Sequence, residues 1–342
     1  MIDIKEHGGS FGGVSTELPL PPIYYANTGS IRNGISYSAP TPLAMNKKYY
    51  AFFWNGRVYI VNKKNQTLIR SSLAHPANSS FTIPSDMRTR GFIMGNYLFY
   101  HTIFGDGTNP RYIRLDILNG TWTEIYPPTG NANRIYSVLV SPDESYAYVL
   151  SNTNRLYKFD ANGILWEIYY TLSYSPSYIY GEVNGLLVVG TDGPYTVVYD
   201  LTAKTFKSVN TPSLNNVYSG FVSSDNRIIG CSNTGYAGSY NLDISNKTVG
   251  TLIASRSGVY GVVAYDKNKT KAYLGVQSDT QTYSTSIVNT ALGTIESNII
   301  ASCFIELIAS CYEDGTHLVR SVYNTGVGTV LPNPHFLYTG GK

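Results

Sequence analysis

The chain has 342 residues, 43% hydrophobic and 14% charged, with a formal net charge of +3. A charge so near neutral, with no Lys/Arg run beyond pairs such as Lys63-Lys64, excludes a backbone-neutralising nucleic-acid binder. No apolar run reaches the length of a membrane helix, and the polar start lacks the apolar core of a secretory leader, so neither membrane insertion nor export is expected. Polarity is carried by Asn, Ser, Thr and Tyr; the 31 tyrosines suit both strands and recognition surfaces.

Residues 1–17 read as a Gly-rich arm. Gly8-Gly9-Ser10-Phe11-Gly12 fits the G-x-S-x-G pattern of a nucleophile elbow, which needs a strand before it and a helix after it; neither is expected here. Such a segment gains order only against a surface, so Phe11, Gly12 and Gly13 are expected to rest on a neighbouring subunit. Residues 18–26 supply one strand.

From there one pattern recurs: an apolar run, a tight polar turn, a second apolar run. The turn residues Asn46, Asn96, Asp143, Asn184, Asp225, Asn268 and Asp314 come every 41 to 50 residues. A repeat of that length built from strand-type segments is one four-stranded blade of a β-propeller. A second hairpin follows each turn by about a dozen residues, as in RVYIVNKKNQTL from Arg57, RYIRLDILNGTW from Arg111 and RLYKFDANGILW from Arg155. Its sixth position is Asn62, Asp116, Asp160, Asp200, Asp243 or Asn289, and its twelfth is Leu68, Trp122, Trp166, Phe206, Val249 or Ile295. Asx belongs at such a break because its side chain accepts the backbone N–H two residues on. The first pattern is the hairpin between strands A and B of a blade, the second the hairpin between C and D. The last repeat has strands near 304–310 and 317–323 and room for about one more. Its fourth strand is expected from 18–26. The expected architecture is therefore all-β: one domain, 18–342, a seven-bladed propeller of four-stranded antiparallel blades, closed by the N-terminal strand so that no sheet edge stays open.

Catalytic and metal motifs are weak. Cys231, Cys303 and Cys311 lack metal-type spacing, and Cys303 and Cys311 flank one strand, too far apart to pair; free thiols favour a reducing compartment. His7, His75, His101, His317 and His335 show no ligand spacing; His101 precedes the longest BC loop. Asp116–Trp122 resembles the Asp-box of sialidase propellers in its Gly-x-Thr-Trp ending, but the Asp–Gly spacing departs from that box, which is structural in any case. Asp143-Glu144 and Glu313-Asp314 are expected at hairpin tips in water, not across a cleft as a glycosidase needs. No cofactor is expected.

In a propeller the AB and CD turns share one rim, and the BC and DA loops share the other. The first are short and Asx-rich; the second vary, and variable loops on a rigid scaffold are where binding concentrates. Tyr174, Tyr195, Tyr236 and Tyr283, with Asp106 and Asn109, are the candidate binding residues of that rim.

YTVVYDLTAKTF from Tyr195 and GSYNLDISNKTV from Gly238 resemble the repeats of YVTN-type and WD40-like propellers, over about 46–323. The Gly-His lead and closing Trp-Asp of WD40 repeats are missing. The resemblance implies the fold and no particular activity. The function expected is a non-enzymatic interaction protein whose partners are other subunits of an assembly. A tailed-phage virion component (tail, collar or capsid decoration), made in the cytoplasm, is the leading case, motivated by low charge, a Tyr/Asn-rich surface and the arm. A carbohydrate-binding host-attachment module using the tyrosines is the alternative. A hydrolase or lyase would need carboxylates or histidines converging at the channel mouth.

Overall fold

A computed structural model describes most residues from Thr41 to Thr339; residues 1–40 and 340–342, and loop stretches of which the longest are 84–90, 105–109, 128–133, 278–282 and 323–334, lie outside the described residues. The arm, with Phe11, Gly12 and Gly13, and the closing strand 18–26 therefore lie outside them too.

The described residues form seven antiparallel sheets in chain order. Sheet 1 holds β1 (Thr41–Met45), β2 (Tyr49–Trp54), β3 (Arg57–Asn62) and β4 (Leu68–Leu73). Sheet 2 holds β5 (Phe81–Thr82), β6 (Gly91–Met94), β7 (Tyr97–Phe104), β8 (Arg111–Asp116) and β9 (Trp122–Ile125). Sheet 3 holds β10 (Ile135–Val140), β11 (Ala147–Ser151), β12 (Arg155–Asp160) and β13 (Gly163–Tyr169). Sheet 4 holds β14 (Pro176–Val183), β15 (Leu186–Thr191), β16 (Tyr195–Asp200) and β17 (Thr205–Asn210), followed by a short 3-10 turn at Pro212–Leu214. Sheet 5 holds β18 (Val217–Val222), β19 (Arg227–Ser232), β20 (Tyr236–Asp243) and β21 (Thr248–Ser257). Sheet 6 holds β22 (Val259–Tyr265), β23 (Lys271–Gln277), β24 (Tyr283–Asn289) and β25 (Ile295–Ala301). Sheet 7 holds β26 (Phe304–Cys311), β27 (Thr316–Val322) and β28 (His335–Thr339).

Five sheets match the expected four-stranded blade, and two differ. In sheet 2 the first strand is split: β5 pairs with Phe104 and Ile103 at one end of β7, and β6 pairs with Tyr97–Tyr100 at the other. Sheet 7 has three strands among the described residues.

The first strands touch one another in sequence: β1 lies against β6, β6 against β10, then β14, β18, β22 and β26, and β26 against β1. Each sheet is thus covered on both faces near its first strands. That is why β11 and β15 are buried at every position rather than at alternate ones, and are apolar except at their last residues, Ser151 and Thr191. The fourth strands lie outermost, and β17 is exposed at five of its six residues. Hydrophobic clusters fill the spaces between successive sheets. One joins Leu43 and Ile60 to Ile93, Leu98 and Ile113; the next joins Phe92 and Phe99 to Val149 and Phe159. Two more join sheet 3 to sheet 4 and sheet 4 to sheet 5. These features define an all-β propeller.

The six Asx positions end the third strands of sheets 1 to 6 and cap the turns that follow. Backbone N–H groups of Lys64, Leu118, Asn162, Thr202 and Ala291 donate to Asn62, Asp116, Asp160, Asp200 and Asn289 at 2.7–3.1 Å, and Asn246 N–H donates to Asp243 at 2.9 Å. The twelfth position is not uniformly core: Val249 is buried, whereas Leu68, Trp122 and Phe206 are exposed. His101 lies in β7 ahead of the loop that follows Phe104, as expected, and is fully buried there. Cys231 is a buried free thiol whose pKa burial pushes up, and Cys311 ends β26 while Cys303 lies outside the described residues.

Candidate functional site

The two rims differ in construction. On the AB/CD rim, turns of successive sheets bond to one another. Glu144, in the left-handed region at φ 58°, accepts from Gly95 N–H at 2.8 Å and from Asn46 Nδ2 at 2.8 Å, and Asn46 also donates to Gly95 O. Glu144 is therefore a clamp across three AB turns, not a tip in water. Its neighbour Asp143 does stay in its own turn; hydrogen bonds from the Ser141 and then the Ser145 hydroxyls lower its pKa to about 2. Arg70 donates to the carbonyls of Ile117 and Leu118, Arg114 to Ala161, and Lys207 to Asn246. Lys247 Nζ meets Asp200 at 2.5 Å, and this bond, with the Ala203 N–H next, lowers the Asp200 pKa to about 2.

Several of these partners lie 47 to 49 residues apart, one repeat length. Sequence reading missed them because the bonds go to backbone carbonyls or to turn residues already assigned a local role. The spacing itself was the available signal.

A cavity of about 410 Å³ opens on this rim, lined by Leu139, Pro142, Tyr146, Glu182, Asn184 and Lys269 among others. Its lining brings together turn residues of sheets 3, 4 and 6. Tyr146 donates to Glu182 Oε2 at 2.8 Å; burial, then that bond and charge, push its pKa up to about 12.

On the BC/DA rim the structure brings two of the candidate tyrosines together. Tyr174, in the loop before β14, stacks on Tyr195 with ring centroids 5.2 Å apart and planes 28° apart. Glycine is required at 193: a Cβ there would stand 2.2 Å from Tyr174 Cδ1. The loops beneath are tied down. Asp192 N–H donates to Ser175 O, Thr211 N–H to Pro194 O, and the Thr196 and Thr211 hydroxyls meet at 2.9 Å in the interior. Tyr174 is 41% exposed on this support. Tyr236 is exposed at the start of β20 but is not joined to that pair by any described contact. Tyr283 begins β24, with its side chain outside the described residues, as are Asp106 and Asn109.

A third cluster sits on the flank of sheet 2 and was not anticipated. His75, buried in the loop after β4, has Nδ1 accepting from Ala77 N–H at 3.3 Å, so Nε2 carries the ring proton and donates to Glu124 Oε1 at 2.8 Å. Arg111 Nε lies 3.6 Å from Glu124 Oε2, which also accepts from the Tyr126 hydroxyl. Burial works against the Glu124 charge, but the bonds from Tyr126 and His75 and the nearby positive charge leave its pKa lowered. Tyr126 is held protonated by the same bond. Phe81 stacks on His75 at 4.8 Å, and Trp122 meets it edge-on at 5.3 Å. His75 and Glu124 are again 49 residues apart.

Among the described residues no group of three or more His, Cys, Asp or Glu side chains is placed to hold a metal ion. The overall fold is similar to that in the crystal structure of BamB from Moraxella catarrhalis, with a TM-score of 0.54 at 14% identity, over 82% of this chain and 79% of that one. Identity that low speaks for the propeller architecture alone. No family model matches the sequence, and no curated protein matches it.

Proposed function

We propose that this chain is a non-enzymatic propeller that docks other subunits of an assembly on its BC/DA rim. The stacked Tyr174–Tyr195 pair carries the reading: two large amphipathic rings, fixed from below by Gly193 and the tied loops, offer contact area at little ordering cost. The seven sheets are the blades of one ring, a count supported by the return of β26 to β1. Residues 18–26 supply the fourth strand of sheet 7, beside the three strands described there. The assembly we favour is a tailed-phage virion, with the chain made in the cytoplasm; this choice stands on composition and the Gly-rich arm. Electron microscopy of native particles tests the whole reading. It predicts seven blades and a protein neighbour at the Tyr174 loop. A freely soluble monomer that engages no other subunit contradicts it.

A further inference from the structure

The flank of sheet 2 goes beyond that docking role. Along residues 122–126 the side chains alternate. Ile125 turns into the core shared with sheet 3, so Trp122, Glu124 and Tyr126 share the opposite face. Alternate residues of an extended chain stand about 6.6 Å apart, which puts one carboxylate midway between two aromatic rings. Trp122 is 36% and Tyr126 57% exposed, yet both are held in place. Tyr126 is anchored by its hydroxyl on Glu124. Trp122 rests against His75, whose two ring nitrogens are both engaged and whose face is backed by Phe81. Exposed rings ordered in advance lose little freedom when a ligand arrives.

We propose that this face binds a short neutral oligosaccharide. Trp122 and Tyr126 stack on the apolar faces of successive sugar rings, and Glu124 and Arg111 bond the hydroxyls between them. The chemistry fits on each count. A sugar ring presents a C–H face to an aromatic ring and hydroxyls at its edge. The Glu124 carboxylate accepts from hydroxyls, and Arg111, which spends Nε on Glu124, keeps its other N–H donors for sugar oxygens. A nucleic acid would also stack, but a carboxylate at the centre of the row repels phosphate, and a net charge of +3 does little to offset it.

The test is calorimetry of the full chain with maltotriose, cellotriose, chitotriose and xylotriose. At least one binds saturably. Trp122→Ala and Tyr126→Ala each weaken it about five- to tenfold, the worth of one stacked ring, while Trp122→Phe stays close to the parent and covers the case in which the alanine variant misfolds. Tyr174→Ala, in the loop before β14 and outside this cluster, leaves sugar affinity unchanged, so failure here and failure of the docking proposal are separable. No binding by any of the four sugars overturns the inference, as does binding that ignores both alanine variants. Loss of protein docking in Trp122→Ala without sugar binding by the parent overturns it in favour of a protein contact.

Discussion

The two rims of this propeller are made from different chemistry. The AB/CD rim is polar and self-satisfied: its Asx residues cap their own turns, and Glu144, Arg70 and Lys247 bond the turns of neighbouring sheets. The BC/DA rim spends its hydrogen bonds below the surface, at Thr191, Thr196 and Thr211, and leaves aromatic rings above them. Under the docking proposal, the contrast separates stability from recognition: polar turns bond neighbouring sheets to one another, and the supported Tyr174–Tyr195 pair meets the partner.

Substitutions on each rim sharpen that contrast. Glu144→Ala leaves Gly95 N–H without its acceptor and the buried Asn46 amide with only the Gly95 carbonyl, and is expected to cost about 2–3 kcal/mol, measured by urea unfolding, with docking unchanged in the folded protein. Gly120→Ala comes next. Its φ of 77° disfavours a Cβ, which would also stand 2.2 Å from Arg70 Nη1; about 1–2 kcal/mol is expected, again by urea unfolding.

Acid acts on the same rim. Asp143 and Asp200 have folded pKa values lowered to about 2, below the unfolded value near 4. The stability they supply is present above the unfolded pKa, because the unfolded chain takes up protons first, and it is lost as the pH falls through the folded pKa. Melting temperature should drop between about pH 4 and pH 2, and Asp200→Asn should flatten part of that drop. The smallest effect on stability is expected from Tyr174→Ala, within about 0.5 kcal/mol, because the ring lies on the surface. The same variant should remove partner binding measured by calorimetry, the reverse of Glu144→Ala.

The repeat was legible because turn chemistry is local. Asn62, Asp116, Asp160, Asp200, Asp243 and Asn289 each end a third strand and cap the turn that follows, as an Asx side chain does within three residues of chain. The split first strand of sheet 2 was not legible, because β5 and β6 pair with opposite ends of one partner and neither is a long apolar run. The flank cluster escaped for a different reason. His75 and Glu124 are ordinary residues in their own segments and meet only because one sheet is stacked on the next. Of the candidate tyrosines, the meeting of Tyr174 with Tyr195 depends on the absence of a side chain at Gly193, which no periodicity announces.

The most direct test places a photo-activated cross-linking residue at Tyr174 in one variant and at Asn246 in another, and illuminates cells that make the protein in its native assembly. The account predicts covalent capture of another subunit from position 174 and none from position 246. Capture from the Asn246 turn alone, or from neither position, would contradict it.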